Sequence, residues 1–231
     1  AAGELIVSAG TPALMPWAAH AQVFLDLTGM RHGEVWLCAD PVAGDEVELL
    51  GRELWAPTRL RRETRLAVSR RALLLADLAL AGYLVGAATQ VLTETAEYVR
   101  ARHQFGRPLG DFQAVAFPLA DCEARLASAG GLVRRAAAAA TDVEGGEDAG
   151  ASGTADDPQG MAGGWGQAAL ASSARAARRT LYQCHQAYGA IGYTEEGPLA
   201  WFGPRIANLA TEAEATWRRA ADDVLFGLGR R

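Results

Sequence analysis

The stretch from Arg71 to Ala101 restricts the possible folds more than any other, because it is predicted to form one long helix that is apolar on nearly every side. A helix of that kind is stable in water only when neighbouring elements cover it. Ala79, Gly82 and Gly86 recur at spacings of three and four residues, which predicts a stripe of small residues for close approach of another helix. The segment therefore predicts a helical bundle built around it.

Three further helical segments supply the neighbours that such a bundle needs. They are predicted at Asp111 to about Ala140, Gln167 to Tyr188, and Pro198 to about Leu228. Pro118 is expected to kink the first of these and Pro204 to interrupt the last, because proline removes a backbone donor from a helix. Four long segments predict an antiparallel four-helix bundle over residues 69–231.

Residues 142–165 lie between the second and third predicted helices and are rich in acid and glycine. Such a composition buries too little apolar surface to offset the entropy of ordering, so a flexible linker is predicted there. The segment contains six acidic residues and no basic one, which more than accounts for the net charge of −5. The rest of the chain is close to neutral, which argues against a nucleic-acid partner.

Residues 1–68 are predicted to form a small sheet. Short runs rich in β-branched and aromatic residues are separated there by Gly, Pro, Asp and His. The runs are GELIVSAG, AQVFLDL, GEVWLCA, DEVELL and TRLAV. They are too few for a free-standing barrel. The predicted fold class is therefore α+β, mainly α, with a partial β-domain at 1–68 followed by the bundle.

Composition excludes several classes of function. All 22 basic residues are arginine, so a mechanism based on a Schiff-base or P-loop lysine is excluded. The four histidines are scattered, and no metal site is expected. Cys38, Cys122 and Cys184 lack metal-ligand spacing and are expected to be buried free thiols in a reducing cytoplasm. No uncharged run reaches about 18 residues, and the start resembles no signal peptide, so we expect a cytoplasmic protein without a membrane span.

The stretch from Tyr98 to Leu126 contains the candidate site. It ends one helix, turns at Phe105 to Pro108 and opens the next helix. Arg102 and Gln113 flank the turn, so a cation, a ring and an amide are predicted to lie close together, as binding of a phosphate-bearing, ring-containing ligand requires. A purely structural role is the alternative: arginine complements a helix C-terminus, glycine and proline form the turn, and Asp111 caps the next helix.

Two runs of this sequence resemble the acyl-CoA dehydrogenase family. RARHQFGRPLGDFQAVAFPLADCEARL is similar to its signature, an R-x-x-F-G turn followed by F-Q and L-A-D. QAYGAIGYT, from Gln186 to Thr194, is similar to the family's Q-x-x-G-G-x-G-Y-T segment and stands in the same order. A looser match from Gly10 to Leu27 resembles its middle β-domain. The resemblance implies that the sequence begins inside that domain, without the family's N-terminal helical domain and the loop that usually contacts the flavin ring.

The resemblance also implies an FAD site at a dimer interface. Six positions match its cofactor-binding residues: Arg102, Phe105 and Gln113 at the turn, and Gln186, Gly189 and Gly192 in the second run. Arg102 matches the arginine at the flavin pyrophosphate. The second run matches the segment that approaches the same cofactor from the neighbouring subunit. Ala190 stands where the family usually has a second glycine.

Desaturation of an acyl-CoA requires a carboxylate that removes the α-proton while the flavin accepts hydride from the β-carbon. The family places this glutamate either after the second run or in the long first helix. If one residue is inserted in the alignment, Glu214 and Thr216 match the family's E-x-T after the second run. Counting without a gap places Ala213 at the position of the glutamate. Glu212 and Asp77 are the other candidates. An exposed glutamate is usually only a solvated surface residue.

The predicted function is that of an FAD-dependent acyl-CoA dehydrogenase-like subunit of lipid metabolism. It would desaturate an acyl-CoA thioester and pass electrons to an electron-transfer flavoprotein, as a homo-oligomer or as one half of a hetero-oligomer that shares FAD between subunits. The alternative is a flavin-free, catalytically inert assembly subunit of the same fold. A third hypothesis is a relative recruited to another reaction of acyl thioesters.

Overall fold

The computed structural model describes residues 5–30, 34–49, 53–141 and 158–227. The chain divides into two compact units, Ala1–Leu73 and Leu74–Arg231. The first unit contains the sheet and the second the helices. The predicted class, α+β and mainly helical with a partial β-domain, is confirmed.

The described part of the first unit forms a six-stranded sheet in the order β1-β3-β4-β6-β2, with β5 also paired to β6. The strands are β1 Val7–Gly10, β2 Leu14–Pro16, β3 Val23–Asp26, β4 Glu34–Ala43, β5 Val47–Leu49 and β6 Glu53–Ala67. β1 runs parallel to β3, and the other pairs are antiparallel. Met15, Phe24 and Ala56 form the centre of its apolar core.

Sequence reasoning missed β2 and most of β6, which it limited to the run TRLAV. β6 is 15 residues long because it has partners along its whole length: β2 and β5 on its first part and β4 on its second. Pro57 lies inside it, and its carbonyl accepts a hydrogen bond from Gly44 at 2.8 Å. Strand pairing therefore overrides the proline signal at this position.

Asp26 is the main buried charge of the sheet. Its carboxylate accepts hydrogen bonds from the backbone N–H of Thr28 at 2.9 Å and from Nε of Arg62 at 2.7 Å. Burial alone would raise the pKa of Asp26, but the bonds from Thr28 and Arg62 outweigh it and hold the pKa below its ordinary value. The pair joins β3 to β6.

The described part of the second unit contains four α-helices: α1 Arg70–Ala101, α2 Gln113–Thr141, α3 Pro158–Tyr188 and α4 Leu199–Gly227. A short hairpin, β7 His103–Gln104 and β8 Arg107–Pro108, joins α1 to α2. One apolar cluster draws buried residues from all four helices, among them Leu84, Val91, Leu126, Leu170 and Ile206. The predicted helical bundle around the first long helix is confirmed.

The small-residue stripe of α1 is not used as predicted. Ala79, Gly82 and Gly86 are exposed, and among the described residues nothing lies within 4 Å of a Cβ built at either glycine. α1 instead buries the adjacent face, on which Leu84, Val91 and other large residues pack. The helix is therefore covered on one side rather than all round.

α1 is also long and apolar enough to cross a bilayer, with a mean hydropathy of 1.8 over its most apolar 18-residue window. The core helix of a bundle passes the same test, and Leu84 and Val91 are fully buried in this one. Length and hydropathy alone do not separate the two cases for α1. The expectation of no membrane span stays a prediction.

The start of α2 and the effect of Pro204 differ from the predictions. α2 begins at Gln113 because Leu109–Asp111 form a 3-10 turn. α4 is continuous through Pro204, so the predicted interruption there is wrong. α2 contains Pro118, as predicted, and the kink expected there stays a prediction. Both prolines lie in the second turn of their helix, where each removes only one backbone hydrogen bond.

α3 begins at Pro158, well before the predicted Gln167. The predicted flexible linker is therefore wrong over residues 158–165, while residues 142–157 lie outside the described part of the chain. Packing accompanies the extension: a Cβ on Gly166 would lie 2.3 Å from Cδ1 of Leu74, so glycine leaves room for the leucine side chain in its present position. Ala169 is buried in the same cluster, so tertiary contacts override the high glycine content.

Candidate functional site

The predicted turn is a tight β-hairpin. His103 pairs with Pro108 and Gln104 with Arg107, which leaves Phe105 and Gly106 as the two-residue loop. Both loop residues have positive φ, 53° for Phe105 and 81° for Gly106. Two-residue hairpins favour this geometry, but it suits glycine or asparagine and not phenylalanine. The backbone of Phe105 is therefore strained by about 1 kcal/mol or more.

The side chain of Phe105 gains little from the protein in return. Its ring is 91% exposed. Its one ring contact in the described structure is edge-to-face with Phe112, at 6.2 Å between centroids. The guanidinium carbon of Arg107 lies 4.0 Å from the centroid of Phe112. Sequence reasoning missed Arg107 and Phe112 because their contact depends on the hairpin, which brings the two side chains together.

Arg102 and Gln113 flank the hairpin, as predicted. The backbone of Arg102 is fixed: its N–H donates to Tyr98 and its carbonyl accepts from Leu109, both at 2.8 Å. Its exposed side chain has no ion pair, hydrogen bond or ring contact within the described residues. Gln113 is exposed in the first residue of α2. Arg102 directly follows the last residue of α1, whereas Gln113 lies at the N-terminus of α2, the helix end that favours an anionic group.

The second predicted run, Gln186 to Thr194, contains the end of α3 and the turn that follows it. Gly189, at φ 63°, ends the helix, and Gly189–Tyr193 form a 3-10 turn. Gln186 and Gly189 are exposed, and nothing lies within 4 Å of a Cβ built at Gly189. Gly192 differs, because it is buried and a Cβ there would lie 3.0 Å from Cβ of Tyr188. Internal packing is therefore sufficient to explain the glycine at 192, whereas Gly189 faces open space.

The fold brings the two runs to the same end of the bundle. The rings of Tyr98, near the end of α1, and Tyr188, the last residue of α3, lie 4.5 Å apart. Burial raises the pKa of Tyr188, and a hydrogen bond with Thr95 opposes that rise. The hairpin and the second run therefore start from two helix ends that are packed against each other.

His185 was not singled out from the sequence, although it precedes Gln186 directly. Its ring stacks on Tyr193 at 4.6 Å between centroids. Burial lowers the pKa of His185, and the backbone of Gly192 acts in the opposite direction. The stack holds the 3-10 turn against α3, so its role is explained within the chain.

Glu214, the predicted base, is engaged inside the bundle. Its Oε2 lies 2.8 Å from Nη2 of Arg178, and its side chain is 17% exposed. The pair links α4 to α3. Of the other two candidates, Glu212 is exposed and Asp77 is buried in α1, with 4% exposure. The catalytic role of Glu214 stays a prediction.

A groove of about 630 Å³ lies between α1 and α2, next to the hairpin. Its lining is mostly apolar and includes Leu92, Ala96, Val99 and Leu119, with Arg100, Asp111 and Glu123 among its charged residues. None of the six predicted cofactor-binding residues lines it. No group of three or more potential metal ligands occurs within the described residues. The groove and the six predicted residues are therefore separate features of this end of the bundle.

Comparison with known proteins identifies the family. The family model for the acyl-CoA dehydrogenase C-terminal domain matches residues 66–214, more than half of the chain. The short-chain specific acyl-CoA dehydrogenase of Megasphaera elsdenii is 32% identical over 122 residues, which cover 52% of this chain and 27% of that protein. The chain matches less than a third of the length of the curated relatives.

Solved structures agree on the fold. A variant of the Tcur3481-Tcur3483 steroid ACAD superposes with a TM-score of 0.71 at 21% identity, covering 96% of this chain and 63% of that one. The ChsE4-ChsE5 complex from Mycobacterium tuberculosis gives a TM-score of 0.65 at 19% identity, covering 97% and 64%. The chain therefore shares its overall fold with these structures. Together with the family match, this shows that the chain belongs to the acyl-CoA dehydrogenase family.

Proposed function

We propose that this chain forms part of an FAD-dependent acyl-CoA dehydrogenase and contributes to a flavin site shared between subunits. The hairpin supports this most directly: Arg102, which precedes it, is exposed and has no side-chain partner among the described residues, and Phe105 at its tip is exposed on a strained backbone. Both suit a dinucleotide, which combines diphosphate charge with aromatic rings.

In this proposal Arg102 binds the diphosphate through charge-assisted hydrogen bonds, and Phe105 packs against the nucleotide. Gln113 offers an amide from the first turn of α2, where the helix dipole also favours an anion. The residues present therefore fit the charged part of the cofactor. The flavin ring would be held mainly by groups that lie outside these three residues.

The second run supplies another set of contacts, from the neighbouring subunit, to the same cofactor. Gln186 and Gly189 are exposed and leave open space for it. Gly192 preserves the shape of the turn by packing on Tyr188. Ala190 is exposed, so its methyl group adds bulk on the surface of the turn where a glycine is usual.

The proposed reaction is α,β-desaturation of an acyl-CoA thioester. FAD, when bound, supplies the acceptor for the hydride that leaves the β-carbon. A carboxylate takes the proton from the α-carbon, and the electron pair of that C–H bond forms the double bond. Glu214 is our candidate for this base, and it would first have to separate from Arg178. An electron-transfer flavoprotein is the proposed acceptor of the two electrons.

A related subunit is the proposed partner, and the similarity to the ChsE4-ChsE5 complex supports a hetero-oligomer. One observation favours a second candidate function, a flavin-free assembly subunit: the Glu214–Arg178 ion pair gives the predicted base a structural role. In that case the chain would keep the bundle and take no part in the chemistry.

The visible absorption spectrum of the purified protein, with any copurifying chain identified by mass, tests the proposal. We expect flavin bands at about one FAD per shared site, and acyl-CoA-dependent reduction of an external electron acceptor. Glu214→Gln would then abolish turnover while the flavin stays bound. A protein that remains colourless after addition of FAD and its partner would support the assembly role. Full activity in Glu214→Gln would exclude Glu214 as the base.

A further inference from the structure

The exposed ring of Phe105 is held in place by a short stack of side chains. A ring that is 91% exposed on a backbone with φ 53° would be expected to relax if the hairpin tip were free. Its contact with Phe112 is edge-to-face, with an interplanar angle of 81°. This geometry is the favourable one for two aromatic rings. Phe112 therefore supports one edge of the exposed ring.

Phe112 is fixed in turn from two sides. Its backbone N–H donates to Leu109 at 3.1 Å, and its carbonyl accepts from Val115 and Ala116 at 2.9 Å. The guanidinium of Arg107 lies over its ring, 4.0 Å from the centroid. Arg107 is itself paired to Gln104 across the hairpin. The stack thus connects the stem of the hairpin to the start of α2 and to the ring at the tip.

We propose that Arg107 is a positioning residue for the flavin site: its guanidinium fixes Phe112, and Phe112 holds Phe105 in the orientation that meets the nucleotide. This inference rests on the proposed function. It separates the roles of two arginines that lie five positions apart. Arg102 is free to bind the diphosphate, whereas Arg107 acts through the aromatic rings. Ordering the ring before binding lowers the entropy that the complex must lose.

A double-mutant cycle separates this role from direct binding of phosphate by Arg107. The variants are Arg107→Gln, Phe105→Ala and the combination, and the measured quantity is the dissociation constant for FAD of the full chain with its copurifying subunit. We expect Arg107→Gln to weaken binding about two- to fivefold, the range for loss of an exposed cation–π contact. In the Phe105→Ala background the same substitution should have no further effect. An equal loss in both backgrounds would overturn the proposal.

Two further variants sharpen this test. Arg107→Lys keeps the charge but loses the planar stacking of the guanidinium, so it should restore little affinity. Full rescue by lysine would indicate a simple phosphate contact instead. Arg135→Gln is the matched control, because Arg135 stacks on Trp165 at 5.5 Å in another part of the bundle. It should leave FAD affinity unchanged.

A measurement without FAD keeps the inference separate from the proposed function. Fluorine-labelled phenylalanine, with the Phe105 resonance assigned through Phe105→Leu, reports the environment of the ring in the chain alone. Arg107→Gln should move that resonance towards the value of a freely rotating exposed ring, and Arg135→Gln should not. An unchanged resonance would overturn the positioning role. A shifted resonance in a protein that never binds FAD would refute the proposed function while leaving the stack established.

Discussion

The hairpin and the second run were predicted to bind the same cofactor, but they differ in how far contacts inside the chain account for their residues. At the hairpin, the Arg102 side chain has no partner among the described residues, and Phe105 is both strained and exposed, so contacts within that part of the chain account for neither. In the second run, Gly192 is buried against Tyr188, and the His185–Tyr193 stack holds the turn. A residue with a strained backbone or an exposed apolar side chain supports a ligand site better than a residue whose identity internal packing already explains.

The largest effect expected from this comparison concerns Gly192. A Cβ at this position would lie 3.0 Å from Cβ of Tyr188, so Gly192→Ala should lower the free energy of unfolding by about 1–3 kcal/mol through overpacking. Urea denaturation measures it. A variant as stable as the wild type would show that packing does not require glycine there. That result would favour the cofactor-binding role predicted for Gly192.

A glycine in open space gives the opposite expectation. Gly82 lies on the exposed face of α1, with nothing within 4 Å of a Cβ built on it. Gly82→Ala should raise the free energy of unfolding by about 0.5–1 kcal/mol, because alanine has the higher helix propensity. The same denaturation experiment applies. Destabilisation of the isolated chain would mean that something does approach this face, contrary to the structure.

The pH dependence of stability gives a smaller and more specific effect. Because burial lowers the pKa of His185 below its ordinary 6.5, the unfolded state takes up the proton first as the pH falls. The contribution of neutral His185 is therefore fully present above about pH 6.5 and is lost progressively below it. Unfolding free energies at pH 7.5 and pH 5.5 should differ more for the wild type than for His185→Phe.

Asp26, the main buried carboxylate of the sheet, titrates outside this pH range. The pKa of Asp26 is held below its ordinary 3.8, so loss of its stabilising interactions belongs to more acidic solutions. Phenylalanine preserves a planar ring for the stack on Tyr193 without a titratable nitrogen. An identical pH dependence in wild type and variant would show that His185 does not couple protonation to folding.

Much of the bundle could be predicted from the sequence because its signals are local. Apolar periodicity located α1 almost to the residue, and it located the later helices within a few residues apart from the start of α3. The corrections come from tertiary contacts that no local pattern encodes. The N-terminal part of α3 depends on Gly166 admitting Leu74, and β6 extends past Pro57 because it has strand partners along its whole length.

The candidate site was predictable only as a set of positions. Sequence spacing placed Arg102, Phe105 and Gln113 around one turn, and the structure brings them there. The strain at Phe105 and the Arg107–Phe112 stack depend on side-chain geometry in a two-residue hairpin, which spacing does not determine. The ion pair of Glu214 with Arg178 joins two helices and was likewise hidden. The sequence thus identified the candidate positions, whereas the side-chain contacts of these residues required the structure.

The dissociation constant for FAD of wild type and Arg102→Ala tests the central claim most directly, measured on the full chain with its copurifying subunit. Loss of charge-assisted hydrogen bonds to the diphosphate should weaken binding about ten- to a hundredfold. The free energy of unfolding should stay the same, because the Arg102 side chain has no partner within the described residues. Equal FAD affinity in both proteins, or no FAD binding by the wild type, would contradict the account.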